Sequence, residues 1–254
     1  ADGTQDPDEA IDFRWKNTTA TVRWNHLFSS KLFMNVSGIY SRYNYGLSSE
    51  NDGGGGPANT SGTFTWKSSV ENWIFKPDFT YFLEANTKLR FGLHNTLYKF
   101  TPAKIETSEE GVSSFDFETE NGLEIAPYIE YEKKWDKLSM NAGLRYSWFG
   151  NMGPYTVATY SNELPKSVST IVSTKAYKSG EIIKSYSGFE PRLSFNYRLK
   201  DNQSVKLGYN RTFQYIHLIS NTTAALPFDI WKPSGSHIKP LEVNQISAGY
   251  AYDT

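Results

Sequence analysis

The sequence predicts an all-β chain: an antiparallel transmembrane β-barrel segment of about nine to ten long strands, with short periplasmic turns and long extracellular loops. Three observations predict it. In residues 189–215, Leu193, Phe195, Tyr197 and Leu199 share one face while Glu190, Arg192, Ser194 and Asn196 share the other. After a polar Lys-Asp-Asn-Gln turn the pattern repeats, with Val205, Leu207 and Tyr209 against Lys206, Gly208 and Asn210. Period-two alternation held over about eleven residues exceeds the about five or six of an ordinary strand. Tilted by about 45°, such a strand rises about 25 Å, the height of the apolar band of an outer-membrane barrel. The second observation is that tight turns and long excursions alternate along the whole chain, which keeps every tight turn at one end of the sheet. The third is composition. Mean hydropathy is low at -0.55, no apolar run reaches the roughly 18 residues of a membrane helix, yet aromatics make up 16% of the 254 residues. Half-apolar strands with aromatic girdles have this signature.

Taken in order, residues 1–10 are acidic and read as a tail or loop, and residues 11–254 as a partial barrel. A strand alternates over 18–28, with Ala20, Val22 and Trp24 on one face and Thr19, Thr21 and Arg23 on the other. A turn near Ser29 returns the chain over 31–45, and a Gly/Ser/Asn-rich loop with four consecutive glycines follows. The next strand carries Phe75, Phe79, Tyr81 and Leu83 on its apolar face. After a turn at 84–87 comes another, with Leu89, Phe91, Leu93 and Leu97 against Arg90, Gly92, His94 and Thr96. A second excursion spans 101–121. Strands over 122–132 and 138–148 follow, joined by a turn at 134–136. A third excursion at 150–187 is expected to hold its own hairpin, 168–174 with 182–186. A fourth at 217–240 precedes the last strand, 241–252. A proline opens each of three related segments, at Pro77, Pro127 and Pro191. Proline cannot donate to a ladder, so each is expected at a bulge or near the outer rim. About nine strands make no obvious closed barrel of even strand number, so the expectation is a sheet open at both edges.

Composition and motifs exclude several functions. A net charge of -1 gives no electrostatic case for nucleic acid. No cysteine is present, so no thiolate metal site or disulfide framework exists. The glycine run lacks the Lys-Ser/Thr of a phosphate loop, and no Gly-x-Ser-x-Gly elbow occurs. His26, His94, His217 and His237 have no metal-ligand spacing. No enzyme, cofactor or metal is therefore expected.

The polar faces are more informative. Asp116, Glu118, Glu120, Glu124, Glu130 and Glu132 share one parity and form an acidic stripe. In register, Glu124 is expected to face Arg145 and His94 to lie beside Asp78. Asp78, Arg90, His94, Glu124, Arg145, Glu190 and Arg192 are the candidate lumen-lining residues, a salt-bridged wall or a surface for a plug domain or solute. The stripe's upper part, 116–120, is also a candidate cation site. Two aromatic girdles are expected: Tyr40, Trp73, Tyr98, Tyr146, Trp148 and Tyr215 toward the long loops, and Trp24, Phe28, Tyr81, Tyr131, Trp135 and Tyr197 toward the short turns. Tyr215, His217 and Trp231 are the candidate ligand contacts of the extracellular loops.

The fourth excursion carries a family resemblance. Asn210-Arg211, the run from Gln214 through Tyr215 and Ile216 to His217, Leu226-Pro227, Asp229, Trp231, Pro233-Ser234, Pro240 and Ala248-Gly249-Tyr250 resemble a barrel segment of TonB-dependent outer-membrane receptors of the Bacteroidetes type. Residues 24–45 and 75–102 look like further hairpins of that group. The resemblance implies a parent barrel of about 22 strands with an N-terminal plug, energised through TonB and importing a large or scarce solute across the outer membrane of a Gram-negative cell. The chain reads as a partial barrel without that plug. The implied partners are the lipid bilayer, the plug domain and TonB system of the full-length parent, and an unknown solute. Two other readings of the residues stay open: a plug-less porin-like or adhesive barrel, and a soluble carbohydrate-binding β protein.

Overall fold

The computed structural model describes residues 9–51, 62–108, 114–161, 163–219 and 230–252. Its strands are β1 (Glu9–Leu27), β2 (Leu32–Asn51), β3 (Gly62–Glu84), β4 (Thr87–Thr107), β5 (Phe115–Asp116), β6 (Glu120–Lys134), β7 (Leu138–Met152), β8 (Tyr155–Tyr160), β9 (Ile171–Tyr177), β10 (Ile182–Lys200), β11 (Gln203–Gln214), β12 (Ile216–Ile219), β13 (Ile230–Pro233) and β14 (Leu241–Tyr252). One large antiparallel sheet runs β1-β2-β3-β4-β6-β7-β10-β11-β14, with β5 added beside the top of β4. Two small hairpins, β8–β9 and β12–β13, stand apart from it. Among the described residues there is no α-helix, and none is long and apolar enough to cross a membrane. The sheet does not close, because β1 and β14 do not pair.

The short turns lie at one end and are stitched to one another. Ser29 Oγ accepts from the Leu32 amide at 3.2 Å, the Phe82 amide donates to Lys31 O at 2.8 Å, the Lys134 amide to Asn86 O at 2.9 Å and the Arg198 amide to Lys137 O at 2.8 Å. These bonds satisfy turn groups that the ladders leave free.

Several expectations need correction. Strands run well past eleven residues: β3 has 23 and β4 has 21. At about 3.3 Å per residue they exceed the apolar band, because the first part of each sequence-predicted loop continues the alternation. β1 begins at Glu9, inside the expected tail. The third excursion's hairpin is β8–β9, while residues 182–186 open β10 and pair with β7. The four-glycine run and Leu226, Pro227 and Asp229 lie outside the described residues.

The prolines sit at neither bulges nor the rim. Pro77 pairs with Val36 on β2, Pro127 with Leu93 on β4, and Pro191 with Leu144 on β7. On the other flank each ladder is interrupted without a change of register: Phe75↔Asn95 resumes at Asp78↔Gly92, and Ile125↔Trp148 at Tyr128↔Arg145. The β10–β11 ladder begins only at Arg192↔Asn210. Each proline thus turns its missing donor toward the following strand, and the sheet absorbs the loss as a short gap.

The two faces differ, and their character inverts along the strands. In the half nearer the short turns, one face carries Phe75, Phe91, Leu144, Leu193 and Leu207. They remain exposed, Leu207 at 53%, with no second sheet or helix over them among the described residues. The opposite face carries the charges. Nearer the long loops the polarity swaps. On β3 the parity of Phe75 and Trp73 continues as Glu71, Ser69 and Lys67, while the other parity brings Trp66 and Phe64 inward. There Leu47, Trp66 and Ala103 form a small core with Phe64, Ile105 and Ile230. Beyond the apolar band, the strands bury hydrophobic side chains against each other as a water-soluble sheet does.

Candidate functional site

The charged face is centred on Arg145 of β7. Its backbone pairs with Tyr128 on one side and Glu190 on the other. The guanidinium reaches up past the Pro127 gap to Glu124 and across to Glu190, with Nη1 to Oε2 at 3.2 Å. Glu124 was expected directly opposite Arg145. Its register partner is Phe149, and the long arginine side chain makes the contact diagonally. Glu190 is fully buried, and Arg192 Nη2 approaches the same oxygen at 4.0 Å. The Tyr98 hydroxyl donates to Glu124 Oε2 at 2.9 Å. A buried fork between two carboxylates needs such extra donors, since desolvation otherwise outweighs the attraction.

Toward the short turns the wall continues. Asp78 accepts from the Tyr128 hydroxyl and lies 3.5 Å from Lys76 Nζ. Its register partner is Gly92, two residues from His94, so His94 lies diagonally across from it, half-buried on the same face. Arg90 spans Glu130 and Glu132 at 3.4 Å each, and Asn141 donates to Glu130 at 2.7 Å. Lys88 adds a 2.8 Å contact to Glu132. The acidic stripe is therefore a mesh of matched charges. In its upper part, Glu118 accepts from the Thr156 amide at 2.9 Å and Glu120 meets Lys232 at 2.8 Å. Among the described residues, no group of three His, Cys, Asp or Glu could hold a metal ion.

An aromatic roof covers the Arg145 cluster. Phe149 stacks on Tyr215 at 4.9 Å, Tyr98 on Phe100 at 5.9 Å, and Tyr98 meets Phe149 at 6.4 Å. The Tyr215 hydroxyl shares a 2.7 Å hydrogen bond with Ser147 Oγ. Tyr98 and Tyr215, expected in a girdle, thus turn to the charged face. Their partners Ser147 and Phe149 carried no signal in the sequence beyond their parity.

Over the roof lies the β12–β13 hairpin, folded back as a strap. The Ser234 amide donates to Tyr215 O at 2.7 Å, Ser234 Oγ meets His217 Nε2 at 2.9 Å, and the Tyr186 hydroxyl donates to Gly235 O at 2.8 Å. Ile230 reaches the Leu47–Trp66 core, and Lys232 clasps Glu120. Burial pushes the His217 imidazole below its ordinary value. Burial also opposes the Lys232 ammonium, but the Glu120 carboxylate outweighs it and holds that lysine above the usual range. Of the candidate loop contacts, Tyr215 and His217 are buried, and Trp231, opposite Leu218, is partly exposed.

The family model described as "TonB dependent receptor-like, beta-barrel" matches residues 1–254. No curated protein sequence matches. Among solved structures, the fold resembles BauA, the ferric preacinetobactin receptor from Acinetobacter baumannii, with a TM-score of 0.52 and 14% identity over 96% of this chain. The copper transporter OprC aligns over 95% of this chain at 10% identity and a TM-score of 0.48. The FrpB iron transporter from Neisseria meningitidis aligns over 81% at 10% identity and a TM-score of 0.37. The chain spans 36%, 43% and 38% of those three chains.

Proposed function

The chain belongs to the TonB-dependent receptor-like β-barrel family, whose members are outer-membrane transporters rather than enzymes, and from that premise we propose that its sheet is one sector of the wall of an import barrel. The face bearing Phe91, Leu144 and Leu207 lies against lipid. The face bearing Asp78, Arg90, His94, Glu124, Arg145, Glu190 and Arg192 lines the interior. The observation that carries this reading is the division of the sheet: exposed apolar side chains on one side and a meshed ionic wall on the other. In a soluble sandwich the apolar face would be the covered one. In an outer-membrane barrel the arrangement is reversed.

In this reading the full receptor imports a large or scarce solute with energy delivered through TonB, and a plug domain fills the interior. A groove of about 480 Å³ on the ionic face, floored by Gly143, Ser194, Gly208 and Ser247 and walled by Arg192 and Glu130, offers a smooth, charged seat for it. Tyr215, His217 and Trp231 belong to the loop side, where solute enters.

Spin labels test the orientation. With Leu207→Cys and Arg192→Cys labelled in lipid bilayers, Leu207 should be relaxed by oxygen and Arg192 by a water-soluble nickel chelate. Nickel access at Leu207, or shielding of Leu207 from both, would refute the assignment of faces.

A further inference from the structure

The apolar face ends abruptly at its upper border. Ala20, Tyr40, Trp73 and Leu97 form one register row across β1–β4. Tyr40 and Trp73 pack together at 4.6 Å, as rings at a membrane interface do. The next row on the same face, one pleat or about 6.6 Å higher, is Thr18, Arg42, Glu71 and Lys99. Lys16 stands in the row above, and Arg14, Lys67 and Lys104 in the one after that. A single pleat thus takes this face from aromatic to cationic.

The cations are only partly matched. Arg42 has Glu71 at 3.8 Å, Arg14 has Asp12, and Lys67 and Lys104 share Glu106 at 2.9 and 2.8 Å. Lys16 and Lys99, both exposed, have no carboxylate partner among the described residues. Along the row of Arg42 and Lys99 the charge stops at β4: that row continues onto β6 and β7 as uncharged Asn121 and Met152. Arg14, Lys16, Arg42, Lys67 and Lys104 also border an open groove of about 1110 Å³.

We propose that the outward face of β1–β4, directly above the Tyr40–Trp73 row, docks the phosphorylated headgroup of an anionic membrane lipid. The proposal rests on the lipid-facing assignment made above. The acyl chains would lie along Ala20, Val22, Phe75 and Leu97, and the phosphates would meet Lys16, Arg42 and Lys99. Cations at headgroup height attract anionic lipid, each changing binding by about five-fold. The one-sided placement makes this a site rather than a general surface charge.

The test reconstitutes the full chain in phosphatidylcholine nanodiscs doped with diphosphorylated lipid A and measures co-purified lipid by mass spectrometry. The unmodified chain should enrich lipid A over phosphatidylcholine. The combined variant Lys16→Gln, Arg42→Gln, Lys99→Gln should lose that enrichment by an order of magnitude or more. A control variant at the short-turn end, Lys31→Gln, Lys137→Gln, Lys200→Gln, should keep it. Equal lipid A with both variants, or no enrichment by the unmodified chain, would overturn the headgroup site. Insertion into pure phosphatidylcholine separates the two readings. If the unmodified chain inserts there without preferring lipid A, only the headgroup site falls; if it inserts into no bilayer, the lipid-facing assignment falls with it.

Discussion

At the scale of single residues, Arg145 is the position on which the ionic wall depends. Truncating it strands Glu124 and the fully buried Glu190 without their shared cation. Removing one partner of a buried ion pair costs about 3–5 kcal/mol. Arg145→Ala should therefore lower the urea midpoint in detergent, and adding Glu190→Gln to it should recover part of the loss. A second residue is fixed by space rather than charge. A Cβ at Gly92 would clash with the Pro77 carbonyl oxygen and sit 3.0 Å from the Tyr128 ring, whereas one at Gly38 would meet nothing within 4 Å. Gly92→Ala should destabilise by about 1–3 kcal/mol, while Gly38→Ala should stay within about 0.5 kcal/mol. The same denaturation assay separates them. Parity in the sequence placed Glu124 and Arg145 on one face, and they do meet, although the register is four residues from the expected one. Parity could not reveal that Tyr98 serves a carboxylate. A tyrosine near a strand end reads equally as a girdle ring, and only the neighbouring strand shows where its hydroxyl goes.

At the scale of elements, the alternation in the sequence located the long strands near the turns but not their upper reaches. Beyond the apolar band the inward face becomes hydrophobic, so the alternation continues with its polarity reversed. Glu71, Ser69 and Lys67 against Val70, Ser68 and Trp66 then resemble a loop when read for a constant apolar face. The β12–β13 strap was illegible for a different reason. Its strands have four residues each, too few for periodicity to register, and its position comes from contacts distant in sequence. Those contacts predict a pH response. His217 is held neutral in the docked hairpin by burial. The released imidazole, with its ordinary value of about 6.5, takes up a proton first. Docking should therefore be at full strength above about pH 6.5 and weaken as pH falls through that value toward the depressed folded one. Amide exchange over residues 216–219 and 230–234 should be faster at pH 5 than at pH 7.5, after correction for intrinsic rates, and the difference should vanish in His217→Gln. An unchanged ratio in the parent chain would mean that the imidazole does not hold the strap.

At the scale of the whole molecule, the question is what satisfies the two flanks of the sheet. Among the described residues, β1 has 19 residues paired only to β2, and β14 has 12 paired only to β11. Every residue of β14 is exposed. Unpaired edges of this length recruit further strands, and barrels remove them by closure. Two closures are conceivable: the nine-strand path curls until β1 meets β14, or other strands stand between them. The alternation, the turn asymmetry and the odd strand number were all readable in the sequence and favour the second. So does the structural likeness, in which this chain aligns with 36% of a receptor chain. Because the chain has no cysteine of its own, engineered pairs can decide without background. Thr19→Cys with Ser41→Cys, opposite each other on β1 and β2, should cross-link readily under oxidation in detergent. Thr21→Cys with Gln245→Cys, on the two edges, should form no intramolecular bridge. Efficient bridging of the edge pair within one chain would establish self-closure and remove the basis for regarding this sheet as one sector of a wider wall.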